Sequence, residues 1–220
     1  MKPTGIGSLL ASGLALAVPG LAAAALSTSH LGSDAELSAI LPIPVLAAEG
    51  RIGDRGGSAT YELDVGPSAA SPAMTGQFSW KKGEKEAFEL TYHAGSGLVT
   101  FLVDDKALTY RPAGTFTEIF IRARAAKKES EVEVKDLVLD GEDVEDEARA
   151  SGDHAGIDIL RIRGASLTGG FRLTGKVSLS WEHSAPEPSE LAFEIQVGAP
   201  DAVTSTSPAS WGSVKKMFRN

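Results

Sequence analysis

Between residues 59 and 197 apolar side chains recur at every second position, the period of a strand with one buried face. The clearest case runs from Phe171 to Trp181. Phe171, Leu173, Val177, Leu179 and Trp181 alternate there with Arg172, Thr174, Lys176, Ser178 and Ser180. Leu191, Phe193, Ile195 and Val197 alternate with Ala192, Glu194 and Gln196. Tyr61, Leu63 and Val65 mark an earlier strand, and Phe88, Leu90 and Tyr92 another. Gly95-Ser96-Gly97 reads as the turn into a strand over Leu98–Val103. Asp104-Asp105 reads as a hairpin turn into Lys106–Tyr110. About nine or ten such segments with turn signals between them, and little 3.6-residue periodicity, predict an all-β fold. The architecture expected is an antiparallel β-sandwich, jelly-roll-like.

One strand changes phase. Val132 and Val134 share a face, but the next strong apolar pair is Leu137 and Leu139. The slip near Lys135-Asp136 predicts a β-bulge or a strand that crosses between sheets. Two segments are helix candidates. One is Asp34–Ile40, with Asp34 as its N-cap, and the other is the acidic stretch 142–150, a weak helix or a loop. Residues 26–57 read as an N-terminal lead-in that adds at most an edge strand near 43–46. The sandwich is expected over 58–198.

The two ends differ from the middle. Lys2, an apolar run from Leu9 to Val18, the Pro19-Gly20 break and Ala22 to Ala25 have the layout of a secretory signal peptide over 1–25. An uncleaved N-terminal anchor is the alternative, although the run is short and rich in Gly and Ala for a membrane span. Cleavage near Ala25 gives a secreted or cell-surface protein with no transmembrane segment in the mature chain. Residues 199–220 read as a flexible tail, rich in Ala, Ser, Thr and Pro and ending in Trp211, Phe218 and a basic cluster. A docking peptide or a membrane-surface contact is the other reading of that end.

Composition narrows the chemistry. The 220 residues include no cysteine, which excludes disulfides, thiolate metal sites and a cysteine nucleophile. An exported domain of this kind must be held together by core burial, helped at most by a cation. A net charge of −8 argues against nucleic acid as a partner.

Three groups of residues could carry function. The acidic stretch around Asp140, Glu142 and Asp143, with Asp153 beyond it, offers hard oxygens for calcium. The preferred reading is a solvated loop whose charge resists edge association, since the spacing fits neither an EF-hand nor a calcium-binding repeat. Arg122 with Arg124, and Arg161 with Arg163, form matching basic stripes, and Phe116 and Phe120 share the phase of the first pair. Side by side, the two strands would present four guanidinium groups and two rings to an acidic polysaccharide. Cross-strand ion pairing with Glu118, Glu131 and Glu133 would use the same arginines without a ligand. The third group is His30, His93, His154 and His183, which show no metal-ligand spacing. The Ala94-Gly95-Ser96-Gly97 stretch lacks the glycine spacing of a nucleophile elbow. Two carboxylates for glycoside cleavage could meet on facing strands, but nothing in the sequence selects a pair.

The run Glu49-Gly-Arg-Ile-Gly-Asp54, then Tyr61-Glu-Leu-Asp-Val-Gly66 and Gly76-Gln-Phe-Ser-Trp80, resembles the opening of the choice-of-anchor W domain. Phe88-Glu-Leu-Thr-Tyr92, Leu98-Val-Thr-Phe101, Ile119-Phe-Ile-Arg-Ala-Arg-Ala125, Asp158-Ile-Leu-Arg-Ile162, Gly170-Phe171 and Val177-Ser-Leu-Ser-Trp181 continue the likeness over about residues 49–198. That family consists of exported bacterial surface proteins. The resemblance implies an extracellular or surface domain and supplies no functional residues. The chain departs from the pattern at its end, where a recognisable sorting anchor is lacking. Pro186-Glu187-Pro188 precedes the last strand and has no apolar span after it.

The resulting expectation is an exported, non-catalytic β-sandwich with a structural or adhesive role. Its partner would be a polysaccharide or a second copy of itself. A carbohydrate-binding module for an acidic polysaccharide and a glycan-active hydrolase or lyase are the alternatives.

Overall fold

The computed structural model describes residues 25–53, 61–154 and 156–200. The predicted signal peptide up to Ala24 and the tail from Asp201 lie outside them. Among the described residues the chain forms fourteen strands and one helix, against the nine or ten strands expected. The first are β1 (Ser27–Leu31), α1 (Asp34–Ile40), β2 (Leu46–Ile52), β3 (Tyr61–Gly66) and β4 (Met74–Gly76). Then come β5 (Lys85–His93), β6 (Leu98–Val103), β7 (Lys106–Tyr110), β8 (Glu118–Ala125) and β9 (Ser130–Leu139). The last are β10 (Glu142–Asp143), β11 (Ala148–Ser151), β12 (Ile157–Arg163), β13 (Phe171–Trp181) and β14 (Leu191–Gly198).

Two antiparallel sheets pack face to face. The first has the order β1-β12-β8-β14-β2-β3-β4, and the second β10-β9-β13-β5-β6-β7, with β11 also paired to β9. The alternation in the sequence sends one side chain of each pair inward. Phe193, Phe88 and Phe101 meet between the sheets, with the Phe88 and Phe101 ring centroids 5.7 and 6.2 Å from that of Phe193, and Trp80 stands edge-on to Phe193 at 5.8 Å. Gly50 lies on the inner face of β2 under these rings. A Cβ there would come within 2.4 Å of Phe193 and 2.6 Å of Trp80, so the close approach requires glycine.

Of the stretch 26–57 expected as a lead-in, the described residues 26–53 belong to the sandwich, because they supply β1, α1 and β2. All seven residues of β2 are buried, and β2 lies inside the first sheet between β14 and β3. A strand covered on both faces shows no apolar–polar alternation, and this one spends its outer positions on Glu49 and Arg51. Residues 142–150 form neither a helix nor a plain loop. They contain β10 and β11, both paired to β9.

The phase slip is a bulge. Opposite β13 the register shifts between Thr174 and Lys176, which pair with Val138 and Lys135. β9 therefore carries one extra residue at Asp136–Leu137, and Asp136 takes a left-handed φ of 52°. The bulge returns Leu137 and Leu139 to the core.

Helix α1 is capped by Ser33, whose hydroxyl accepts from the Glu36 amide at 3.3 Å, so Asp34 is the first helical residue and not the cap. The Glu36 carboxylate reaches back to the Gly32 amide at 2.9 Å. Leu37 and Leu41 pack on Phe120 and Ile159, which places α1 over the outer face of the first sheet. Among the described residues no helix is long and apolar enough to cross a membrane.

Candidate functional site on the outer face of the first sheet

Directly opposed residues of antiparallel strands share a face. The register sets Arg122 of β8, Glu194 of β14, Glu49 of β2 and Asp64 of β3 in one row across the first sheet. The neighbouring row holds Arg124, Ala192, Arg51 and Glu62. These residues point away from the sandwich core, yet Glu49, Arg51, Glu62, Asp64 and Glu194 are all buried.

Burying charge is costly unless it is paired, and this layer is densely paired. Arg51 donates through Nη1 to Glu49 at 2.7 Å and through Nη2 to Glu62, and the same Nη2 forms an ion pair with Asp64 at 3.1 Å. Its Nε donates to the Gly53 carbonyl at 3.3 Å. Arg122 grips Asp34 of α1 with Nε at 2.6 Å and Nη2 at 2.8 Å. Burial raises the Asp64 carboxyl to about 7, with Glu62 adding to the rise and Arg51 opposing it. Burial likewise pushes Glu194 up to about 7, helped by Glu49 and opposed by Arg122 and by the hydrogen bond from Gln196 at 3.0 Å.

Glu194, Glu49 and Arg122 floor a pocket of about 340 Å3. Its walls come from Asp34 and Leu41 and from the 68–70 loop. A carboxyl that is half protonated near neutral pH, beside a second carboxylate, can both accept and donate a proton. The sequence alone did not single out this pair. Glu49 sits in a strand without alternation, and Glu194 looked like an ordinary outward residue.

The two arginine stripes do come together, because β8 and β12 are neighbours. The register interleaves the four arginines with apolar residues: Arg122 opposes Ile159, Arg124 opposes Ile157, and Arg161 opposes Phe120. Arg161 forks onto Glu118 at 2.6 and 3.0 Å, with its guanidinium carbon 5.6 Å from the Phe120 ring centroid. Arg124 and Arg163 are half-buried on the same face, and Arg163 Nε has no hydrogen-bond partner among the described residues. Phe120 is fully buried beneath α1. Phe116 lies between the sheets, edge-on to Tyr92 at 4.7 Å and to Phe171 at 6.1 Å, and so is off the arginine face. Glu131 and Glu133 belong to the second sheet, where they pair with Arg149 and Lys135.

The calcium candidates are not brought together. Asp140 and Asp153 lie beyond opposite ends of the ten-residue β9, a span of about 30 Å. Asp140 accepts the Arg172 amide at 2.7 Å, and Asp153 accepts the Glu129 amide at 3.2 Å. Glu142 and Asp143 are exposed on β10. Among the described residues no three His, Asp or Glu side chains converge as a ligand set. His30 instead contacts Asp146 and Asp158, partners more than a hundred residues away that no local spacing announces. His183 pairs with Glu129 at 3.3 Å.

Compared with protein-family models and with curated proteins, the chain matches none.

Proposed function

We propose that the protein is an exported β-sandwich domain with a non-catalytic, structural or adhesive role at the cell surface or in the extracellular matrix. One observation carries the structural role, as against glycan binding. Arg122 and Arg161, the centre of the basic stripe, are each held bidentately by a carboxylate of the same chain. Such pairs hold α1 and β12 to β8, and leave little of the stripe free for an anionic glycan. Support for export comes from the N-terminal pattern. Cleavage near Ala25 would leave all of β1, which begins at Ser27, in the mature chain. The sequence resemblance to surface domains points the same way.

The test is fractionation of cells producing the full chain, followed by N-terminal sequencing. The reading expects a mature N-terminus near Leu26 outside the cytoplasm. A full-length cytoplasmic product would reject export. Affinity electrophoresis in anionic polysaccharide should show no retardation that depends on Arg122 or Arg161.

A second reading, a glycan-active hydrolase, is favoured by one feature only. Glu194 and Glu49 oppose each other in a pocket, and one of them has a raised pKa. Turnover of a glycan that Glu194→Gln abolishes without unfolding the protein would replace the first reading with this one.

A further inference from the structure

Among the described residues, strand β1 is the edge of the first sheet and pairs only with β12. His30 opposes Leu160 and Thr28 opposes Ile162, so both point to the inner side, where Leu160 and Ile162 join the core. At that rim they meet the segment joining β10 to β11 of the second sheet. Thr28 Oγ1 donates to Asp146 Oδ2 at 3.1 Å. His30 Nε2 lies 3.1 Å from the same Asp146 oxygen, and His30 Nδ1 lies 2.8 Å from Asp158 Oδ1 on β12. One imidazole thus bridges the edge of one sheet and a connecting segment of the other.

The geometry specifies a protonation state. A carboxylate only accepts, and a neutral imidazole has one N–H, so both contacts are donated only by an imidazolium. Both carboxylates are fixed in place. Asp158 Oδ2 accepts the Arg149 amide at 2.8 Å, and Asp146 Oδ1 accepts the Glu147 amide at 3.0 Å. The surrounding charge favours the cation. The β10–β11 side supplies Glu142, Glu145, Asp146 and Glu147, and β12 supplies Asp158. Arg161 and Arg163 of β12 lie on the opposite face, and Arg149 of β11 is occupied by Glu131. α1, with Asp34 and Glu36, lies over the outer face, on the side opposite to His30. β1 itself carries no charge other than His30. Burial disfavours the imidazolium, but Asp158 and Asp146 outweigh it and raise its pKa.

We infer that His30 is a proton-dependent clasp that fastens edge strand β1 across the rim of the sandwich. Its deprotonation loosens β1 and uncovers the hydrogen-bonding edge of β12. A raised histidine pKa gives stability that is complete below the ordinary value near 6.5 and is lost as pH climbs through the folded value.

Hydrogen exchange on the full chain tests the clasp, read as protection factors so that base catalysis of exchange is removed, with the imidazole titration followed in parallel. The amides of β1 and β12 should be protected at about pH 5.5 and lose severalfold protection by about pH 8.5, in step with His30. The central β13–β5 pairing serves as the control for global stability and should show no matching step. His30→Gln should give weakly protected β1 amides at both ends of the range. Asp146→Asn, which keeps the histidine, should move the step to lower pH. Flat wild-type protection across the His30 titration would overturn the inference. So would an imidazole titrating at or below its ordinary value, or a His30→Gln strand protected like the wild type at acid pH.

Discussion

Glu194 of β14 stands directly opposite Glu49 of β2, with both side chains buried on the outer face of the first sheet. Like charges in this position repel. The layer relieves the conflict by engaging Glu49 with Arg51 and by letting Glu194 hold its proton up to about 7. A carboxyl whose pKa is raised on folding makes the folded state bind protons more tightly than the unfolded chain does. Stability therefore falls as pH rises from the ordinary carboxylate range through about 7, and is level above it. Glu194→Gln should remove a loss on the order of 2–3 kcal/mol between about pH 4.5 and 7.5. Denaturant melts across that range check this. The slope due to Asp64, which is raised in the same direction, should remain. Equal slopes in mutant and wild type would mean that Glu194 is ionised throughout.

Arg122 joins the sheet to the helix that covers it. It is the cation nearest Glu194 in its row and the only described partner of Asp34. Arg122→Ala should cost about 1–3 kcal/mol and loosen α1, because Asp34 loses its fork and Glu194 loses a neighbouring charge. Arg122→Lys should recover only part of this, since an ammonium cannot reproduce two parallel bonds. Asp34→Asn should cost less than Arg122→Ala, because half of the Asp34 side chain is exposed. Stability measured for the two single mutants and the double mutant would isolate the pair. A coupling near zero would show that Arg122 acts through Glu194 alone.

Calcium should leave the melting temperature unchanged. Each carboxylate proposed from the sequence as a ligand either holds a backbone amide of a neighbouring segment or lies exposed on β10, and Asp153 is separated from the others by the length of β9. Thermal melts in millimolar calcium and in chelator should coincide. A calcium-dependent rise would overturn this prediction.

What could be read from the sequence followed the two-residue period, and what could not was hidden from it. β5, β6, β13 and β14 were legible because one face meets the core and the other meets water or polar cover. β2 was not, because its outer residues Glu49 and Arg51 are as buried as Leu46 and Ile52. β10 and β11 were hidden by length and acidity, and their pairing depends on β9. The arginine face was legible as a pattern on two strands. Its occupants were only partly so: Glu118 is local to β8, but Asp34 comes from a helix 88 residues earlier. The His30 contacts with Asp146 and Asp158 depend wholly on the closure of two sheets, which no local spacing encodes.

The bulge gives the most direct packing test. Opposite the extra residue of β9 the partner strand has Gly175, on the inner face of β13. A Cβ there would lie 2.7 and 2.8 Å from atoms of the Phe88 ring and 2.8 Å from Leu137 Cδ2. Phe88 and Leu137 are both buried, so neither ring nor methyl can move aside without displacing its neighbours. Gly175→Ala should therefore destabilise the protein by about 1–3 kcal/mol through overpacking, although alanine is otherwise the better strand residue. Gly175→Ala combined with Leu137→Ala separates this cause from a backbone effect. If the clash with Leu137 is the cause, the double mutant should be more stable than the sum of the two single losses. Strict additivity would clear Leu137 and place the cost with the Phe88 ring or the backbone of the bulge.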